Sequence, residues 1–209
     1  MSSETDRALQ EVADAVHSVP DDEIDAIVDE LLAARRIACY AGGREGLVMR
    51  GLVMRLFHAG LDVHYVGEMT CPAVGRGDLL VLSCGPGQIS MVEALAGVAE
   101  RDGVRLLYLT AQPQSPPAER ADRTVRIAAR TMADDRESAA VLPMGSAYEI
   151  ALFILVDLIT NRVRRRSESV EQLRFRHTNL EQRATSERLA DRPGAKGPAM
   201  TSVAGPRHR

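Results

Sequence analysis

Short apolar segments alternate with helical segments along most of the chain. The short segments are apolar almost throughout, which is typical of strands buried on both faces of a parallel sheet. The alternation therefore predicts an α/β fold in which helices cover both faces of that sheet. The predicted strands are 37–41, 62–66, 78–83, 104–110 and 123–128. The predicted helices are 4–17, 22–35, 45–58, 89–101, 118–121 and 147–165.

One predicted helix contains the tandem GLVMRGLVMR at 46–55. A five-residue offset rotates the second copy by about 140° around a helix, so the two copies face different directions. We therefore expect a helix that is buried on most of its sides, not a repeat architecture. Arg50 and Arg55 would then extend their charged ends to solvent.

The chain is predicted to form one domain over 1–182, followed by a disordered tail over 183–209. The tail is rich in Pro, Gly, Ser and charged residues and has no apolar period, so it is not expected to build a core. The stretch SVEQLRFRHTNLE at 169–181 does hold apolar residues together with His177. We expect this stretch to pack on a neighbouring subunit.

Composition argues against several classes of partner. A net charge of −3 and 3% aromatic residues give no general attraction to nucleic acid or to an anionic membrane. The longest apolar stretch, AYEIALFILVDLI, carries two carboxylates and is too short to span a bilayer. The three cysteines lie far apart without metal-type spacing, which fits a reduced cytosolic protein. The acidic N-terminus lacks an apolar segment, so we expect a cytoplasmic protein without a signal peptide.

Candidate chemistry is concentrated at three turns that precede helices: AGGREG (41–46), SCGPGQIS (83–90) and LPMGSAYE (142–149). In an open parallel sheet, ligands bind at the edge formed by the carboxyl ends of the strands. Glycines there allow backbone N–H groups to approach an anion at a helix N-terminus. The first turn is equally explained as a tight turn without a ligand, and it does not match the dinucleotide fingerprint.

Taken in order, MRLFHAGLDVHYVGE, LPMGSAYE and RHTNLE resemble the 6-phospho-3-hexuloisomerases of the sugar isomerase (SIS) domain superfamily, over about residues 5–181. The resemblance implies a flavodoxin-like three-layer α/β/α sandwich with a five-stranded parallel sheet, assembled as a homotetramer or homodimer. It also implies an aldose–ketose isomerisation, D-arabino-3-hexulose 6-phosphate to fructose 6-phosphate, with neither metal nor organic cofactor. By the same resemblance, Glu149 is the base that forms the enediol, and His177 assists ring opening or proton transfer across a subunit boundary.

Simpler interpretations of these side chains stay open. Ser146 and Glu149 have the spacing of a capping box, in which the glutamate binds the N-terminal amide of its own helix. His177 lies in a basic stretch and is also explained as a solvated side chain. His58 and His64 are best explained as helix-end and strand residues.

The loop at 83–90 departs from the family's phosphate loop, which reads SGSG followed by one residue and Thr or Ser. Here Cys84, Pro86 and Ile89 stand at the hydroxyl positions, and proline also lacks an N–H group. Glu45 replaces the serine of the family's GRSG. A carboxylate about 5 Å from a phosphate charge costs ~3 kcal/mol at an effective dielectric of 20. The loop thus has the position of a phosphate site and the chemistry of an altered one.

Three compensations are open. Ser83 and Ser90 could turn into the loop, Arg44 could pair with the phosphate or with Glu45, and Glu45 could turn away from the pocket. The candidate substrate-binding residues are Gly43, Arg44, Glu45, Ser83, Cys84, Gly85, Gly87, Gln88 and Ser90.

Three functions fit these residues. The first is a sugar-phosphate isomerase of the 6-phospho-3-hexuloisomerase type, with Glu149 as the base. The second is a non-catalytic SIS module that binds a sugar derivative or serves as a subunit scaffold. The third is an isomerase of a neutral or amine-bearing sugar, which a pocket lined by Glu45 would prefer over a dianion.

Overall fold

The computed structural model describes residues 2–134 and 140–167, over which the chain forms six helices and five strands. The helices are α1 (Glu4–His17), α2 (Asp21–Ala33), α3 (Glu45–His58), α4 (Ser90–Asp102), α5 (Pro116–Arg120) and α6 (Ser146–Ser167). The strands are β1 (Ile37–Ala41), β2 (Val63–Tyr65), β3 (Leu79–Ser83), β4 (Arg105–Thr110) and β5 (Arg123–Arg126). The bounds of α1, β1 and α3 are those predicted, and the other elements differ by a few residues at their ends.

The five strands form one parallel sheet in the order β2-β1-β3-β4-β5. β1 and β3 are neighbours although α3 and β2 separate them in the chain, and Ala41 lies opposite Ser83 at their carboxyl ends. The loops that follow these two strands therefore leave the sheet side by side. This is the edge at which open α/β sheets bind ligands.

Two apolar cores cover the two faces of the sheet. One contains α1, α2, α3 and α6, with buried side chains such as Leu56 and Leu152. The other contains α4 and α5, with Leu82 and Tyr108. All five residues of β3 are buried, which explains its unbroken apolar pattern. The predicted three-layer α/β/α sandwich with a five-stranded parallel sheet is confirmed.

Helix α3 has an exposed side, so the expectation that it is buried on most sides is wrong for the single chain. Leu47, Met54 and Phe57 are all exposed. Arg50 is also exposed, but its guanidinium lies over the ring of Tyr65, 3.8 Å from the centroid. The hydrophobic pattern did not predict the exposed side of α3, because it identifies apolar residues but not whether the same chain covers them.

Among residues 2–134 and 140–167, no helix is long and apolar enough to cross a membrane. The predicted domain boundary at 182, the predicted tail and His177 lie outside the described residues.

Candidate active site

The carboxylate of Glu45 occupies the loop that follows β3. Glu45 is the first residue of α3, and only 9% of its surface is exposed. Ser83 Oγ donates a hydrogen bond to Glu45 Oε2 at 2.7 Å. The Gly85 backbone N–H donates to Glu45 Oε1 at 2.9 Å. Both carboxylate oxygens are therefore held by the loop, and the suggestion that Glu45 turns away from the pocket is wrong.

Tyr148 extends this network into the core. Its hydroxyl lies 3.1 Å from Ser83 Oγ. A serine hydroxyl has one proton, which Ser83 gives to Glu45, so Tyr148 is the donor of this bond. Tyr148 is 1% exposed, and burial, followed by the charge of Glu45, raises its pKa well above the ordinary tyrosine value. Tyr148 therefore stays a neutral donor in a chain that runs from Tyr148 through Ser83 to Glu45.

Glu149 lies one turn into α6, and its partner comes from the loop after β1. The guanidinium of Arg44 forms an ion pair with the Glu149 carboxylate. Arg44 Nη2 also donates to Ser146 Oγ at 2.8 Å. The capping-box interpretation is not supported, because the Ser146 N–H donates to the Pro143 carbonyl at 2.9 Å. Arg44 thus binds Glu149, not Glu45.

The two carboxylates lie within electrostatic reach of each other. Burial is the main factor that raises the pKa of Glu45, and the negative charge of Glu149 raises it further. The hydrogen bonds from Ser83 and Gly85 act in the opposite direction and only partly offset burial. The site therefore brings together a buried carboxyl in the β3–α4 loop and a second carboxylate, held by arginine, at the start of α6.

Glu45 is expected to make the protein less stable as pH rises. Its pKa is higher in the folded protein than in the unfolded chain, so folding takes up protons between the two values. Its contribution to stability is full below the ordinary glutamate pKa, about 4.3, and is lost as pH rises through the raised value. Glu45→Gln lacks this titration, so the variant should gain stability relative to wild type as pH increases.

The measurement is the free energy of unfolding in urea at a series of pH values from about 4 to about 8. Glu68→Gln is the matched control, because it removes an exposed carboxylate elsewhere in the fold. A constant difference between wild type and Glu45→Gln across that range would contradict the expectation.

Packing constrains three residues of this loop, Cys84, Gly85 and Gly87. A Cβ on Gly85 would lie 2.9 Å from Tyr148 Cδ1, so the loop approaches that ring as closely as glycine allows. Gly87 has a φ of 89°, and its carbonyl accepts a hydrogen bond from the Tyr108 hydroxyl at 2.6 Å. The thiol of Cys84 is buried, and burial, followed by the charge of Glu45, raises its pKa to about 11. Cys84 is thus a neutral thiol facing the core.

The remaining predicted residues lie outside this network. Gln88 is exposed, and its side chain donates to Glu93 at 2.7 Å. Ser90 is exposed at the start of α4 and does not turn into the loop. Gly43 is exposed in the turn after β1 with a φ of 55°, and a Cβ there would meet no atom within 4 Å. The structure therefore unites Arg44 with Glu149, and Glu45 with Ser83 and Gly85.

Tyr148 is the member of the network that sequence reasoning missed. The only signal was its place in LPMGSAYE, directly before Glu149. Successive helical residues point about 100° apart. When Glu149 faces the edge of the sheet, the preceding residue, Tyr148, therefore faces the core of the protein.

A separate cavity of about 760 Å³ lies beyond β4 and β5. Its lining includes Gln112, Arg126, Arg130 and Asp134, and does not include Glu45 or Glu149. Over residues 2–134 and 140–167, no group of three or more His, Cys, Asp or Glu side chains is arranged to hold a metal ion.

Comparison with known proteins identifies the family of this chain. No family model matches the chain. A 3-hexulose-6-phosphate isomerase from Mycobacterium gastri is 35% identical over 172 residues, which are 82% of this chain and 86% of the relative. The chain belongs to the 3-hexulose-6-phosphate isomerase family. Another relative of that name, from Bacillus subtilis, is 28% identical over 83% of this chain and 95% of the relative.

Solved structures support the same family assignment. A protein from Methanococcus jannaschii, whose structure was interpreted as that of a 3-hexulose-6-phosphate isomerase, aligns with a TM-score of 0.71 and 26% identity. The alignment covers 82% of this chain and 98% of that one. The fold is that of the SIS domain, as the sequence motifs implied. This member of the 3-hexulose-6-phosphate isomerase family carries a carboxylate of its own inside the β3–α4 loop.

Proposed function

We propose that the protein is an isomerase of the 3-hexulose-6-phosphate isomerase type, with Glu149 as the catalytic base. The observation that carries the proposal is the placement of the Glu149 carboxylate. Its side chain is 17% exposed, and Arg44, from a different element, orients it at the ligand-binding edge of the sheet. A partly shielded, oriented carboxylate is the group that proton abstraction beside a carbonyl requires.

In the proposed reaction, which is that named for the chain's relatives, Glu149 moves one proton between neighbouring carbons. The Glu149 carboxylate takes the proton from C2 of a 3-hexulose, and the electron pair of that bond forms the C2–C3 double bond of an enediol. The carboxyl group then returns the proton to C3, the hydrogen on O2 is transferred to O3, and the carbonyl now lies at C2. Arg44 is half-exposed beside Glu149, so its guanidinium can donate hydrogen bonds to the oxygen on which negative charge develops.

Substrate contacts are proposed for the loops that meet at this edge. Gly43 and Arg44 belong to one loop, and residues 83–87 belong to the other. His177, outside the described residues, keeps its proposed part in ring opening or proton transfer. Gln88 and Ser90 are less suited to substrate contact. The Gln88 amide is engaged by Glu93, and Ser90 is exposed at the first turn of α4.

Isotope exchange tests the proposed reaction. The protein is incubated in D₂O with D-arabino-3-hexulose 6-phosphate and, separately, with unphosphorylated D-arabino-3-hexulose. We expect the 2-ketose product of one of them to form with deuterium at C3, observed by NMR. If neither sugar is converted and neither acquires deuterium, the protein is not an isomerase of this type.

We further propose that the protein is a cytoplasmic homotetramer or homodimer. The support for assembly is apolar surface on two helices that pack together, α3 and α6. Leu47 and Phe153 are 69% and 55% exposed, and Ile150, Ile154 and Leu158 are exposed on α6 as well. Apolar surface repeated along one side of neighbouring helices is characteristic of an interface. Cys39, Cys71 and Cys84 are all free thiols, which fits a reducing compartment.

Phe153→Glu is expected to lower the molar mass of the protein in solution to a smaller multiple of the 22.7 kDa chain. A charge in the centre of an apolar interface is costly to bury. Light scattering after gel filtration gives the mass directly. Met91→Glu is the control, since Met91 is 46% exposed on α4 of the opposite layer. A monomeric wild-type protein, or an unchanged mass for Phe153→Glu, would count against this interface.

A further inference from the structure

The backbone donors in the first half of the β3–α4 loop, residues 84–87, are already used within the protein. The Cys84 N–H donates to the Leu109 carbonyl at 3.0 Å, and the Gly87 N–H donates to the Cys84 carbonyl at 2.9 Å. The Gly85 N–H donates to Glu45 at 2.9 Å, and Pro86 has no N–H. From 84 to 87, no backbone donor is left over for a bound phosphate. The Ser83 hydroxyl is engaged as well, at 2.7 Å from Glu45 Oε2.

The carboxylate that takes these donors is held in place by packing. A Cβ on Gly85 would lie 3.2 Å from Glu45 Oε1 and 2.9 Å from Tyr148 Cδ1, so the carboxylate, the loop and the ring are in close contact. The buried Tyr148 hydroxyl fixes the Ser83 side chain through the 3.1 Å hydrogen bond between them. Withdrawing Glu45 would leave Ser83 and Gly85 without their partner in a buried site, which is unfavourable.

The negative charge around the loop also disfavours binding of an anion. Glu45 and Glu149 bring two carboxylates to this edge, and the positive charge of Arg44 offsets one of them, that of Glu149. One negative charge about 5 Å from a carboxylate, at an effective dielectric of 20, weakens binding by roughly two powers of ten. A phosphate dianion would meet that repulsion and would find the donors of residues 83–87 occupied.

We propose that Glu45 is a specificity-determining residue: it fills the anion position of the β3–α4 loop, so that the site selects a sugar whose end donates hydrogen bonds over one that ends in phosphate. A carboxylate only accepts hydrogen bonds, which makes a hydroxyl or an ammonium group the matching chemistry. The inference rests on the proposed isomerase function and narrows its substrate class.

The test compares wild type with Glu45→Ser and Glu45→Gln on three probes that differ only at C6. The probes are D-arabino-3-hexulose, its 6-phosphate and its 6-amino-6-deoxy derivative. Serine frees the loop donors and removes the charge, whereas glutamine removes the charge while nearly keeping the shape. Glu68→Ser is the matched control, because Glu68 is exposed and pairs with Arg50 at 3.6 Å, away from the site. Both kcat/KM and Kd, the latter from calorimetry, are measured for each pair.

We expect wild type to prefer the unphosphorylated sugars. Glu45→Ser should improve Kd and kcat/KM for the 6-phosphate by at least about a hundredfold, while the Glu68→Ser control leaves them unchanged. If Glu45→Ser loses affinity and kcat/KM only for the amino sugar, an ammonium group is the preferred end of the substrate. A similar loss for both sugars identifies the hydroxyl.

Several results would overturn the inference. One is a wild-type preference for the 6-phosphate, and another is a Glu45→Ser variant whose preference among the three probes is unchanged. If Glu45→Ser does not fold, Glu45→Gln must still improve phosphate binding, since it also removes the charge. Failure of the proposed function looks different: no probe turns over in any variant, while calorimetry still shows the change of preference.

Discussion

Glu149→Gln is expected to lower kcat/KM for isomerisation by about 10²–10⁴-fold, the usual contribution of a general base. The amide cannot take a proton from carbon, but it keeps the size of the side chain and an oxygen that accepts from Arg44. Substrate binding should therefore change little, and the loss should fall on kcat. Deuterium exchange at the substrate carbon should slow by the same factor. Steady-state kinetics and NMR in D₂O measure the two effects.

The control for this experiment is Glu68→Gln. Glu68 is also a glutamate in contact with an arginine, 3.6 Å from Arg50 Nη1, but it lies on the surface beyond β2. Its replacement should leave both rates unchanged. If Glu149→Gln retained wild-type kcat, proton abstraction would have to be assigned to another group, and the pairing of Glu149 with Arg44 would be structural.

Gly85→Ala is expected to cost about 1–3 kcal/mol of stability, the usual penalty for overpacking a well-packed site. The added Cβ would lie 2.9 Å from Cδ1 of Tyr148 and 3.2 Å from Glu45 Oε1. Tyr148 is buried in the core and cannot move aside without disturbing its bond to Ser83. The substitution should therefore also displace Glu45 and alter substrate preference. Urea unfolding measures the first effect, and kinetics with the three C6 probes measures the second.

Gly97→Ala provides a matched glycine-to-alanine control. Gly97 lies inside α4, and a Cβ there would meet nothing within 4 Å. Alanine is the better helix former by roughly 0.5–1 kcal/mol, so this variant should be slightly more stable than wild type. A Gly85→Ala protein as stable as Gly97→Ala would show that the loop can yield, and would weaken the argument that Glu45 is fixed.

The position of Glu45 bears on how members of this family are compared. Identity of 35% over most of the chain establishes the family and leaves open what a single loop binds. Here the loop after β3 encloses a carboxylate of the same chain. A shared fold and a shared family do not require shared terminal groups on the substrate, because the group that holds the end of the sugar is set by only a few donors.

The secondary structure was largely predictable from the sequence. β1 and β3 follow from unbroken apolar segments, because a strand buried on both faces of a sheet has no polar side to show. α3 was placed at its observed ends but given the wrong surroundings. Its exposed Leu47 and Phe57 look the same in sequence as residues buried within the chain. Periodicity reports which surface is apolar, and only the packed structure reports what covers it.

The candidate site was predictable in part. The motif singled out Glu149, whose role as the base stays a prediction, and Glu45 and Pro86 were recognised as departures from a phosphate loop. The partners were not found. Pairing of Arg44 with Glu45 or with a phosphate was left open, and in the structure its guanidinium pairs with Glu149 and not with Glu45. Tyr148 was not considered at all.

The sequence by itself determined the parallel sheet, the loops at the carboxyl ends of its strands and the residue types present there, since burial and turn formation are local demands on the chain. The tertiary structure decided which of those residues meet. Ser83 is 38 residues from Glu45, and Arg44 is 105 residues from Glu149. Hydrogen bonds over such separations depend on which loops the strand order brings side by side. For that reason only the folded protein shows that the carboxylate of Glu45 lies in the loop after β3.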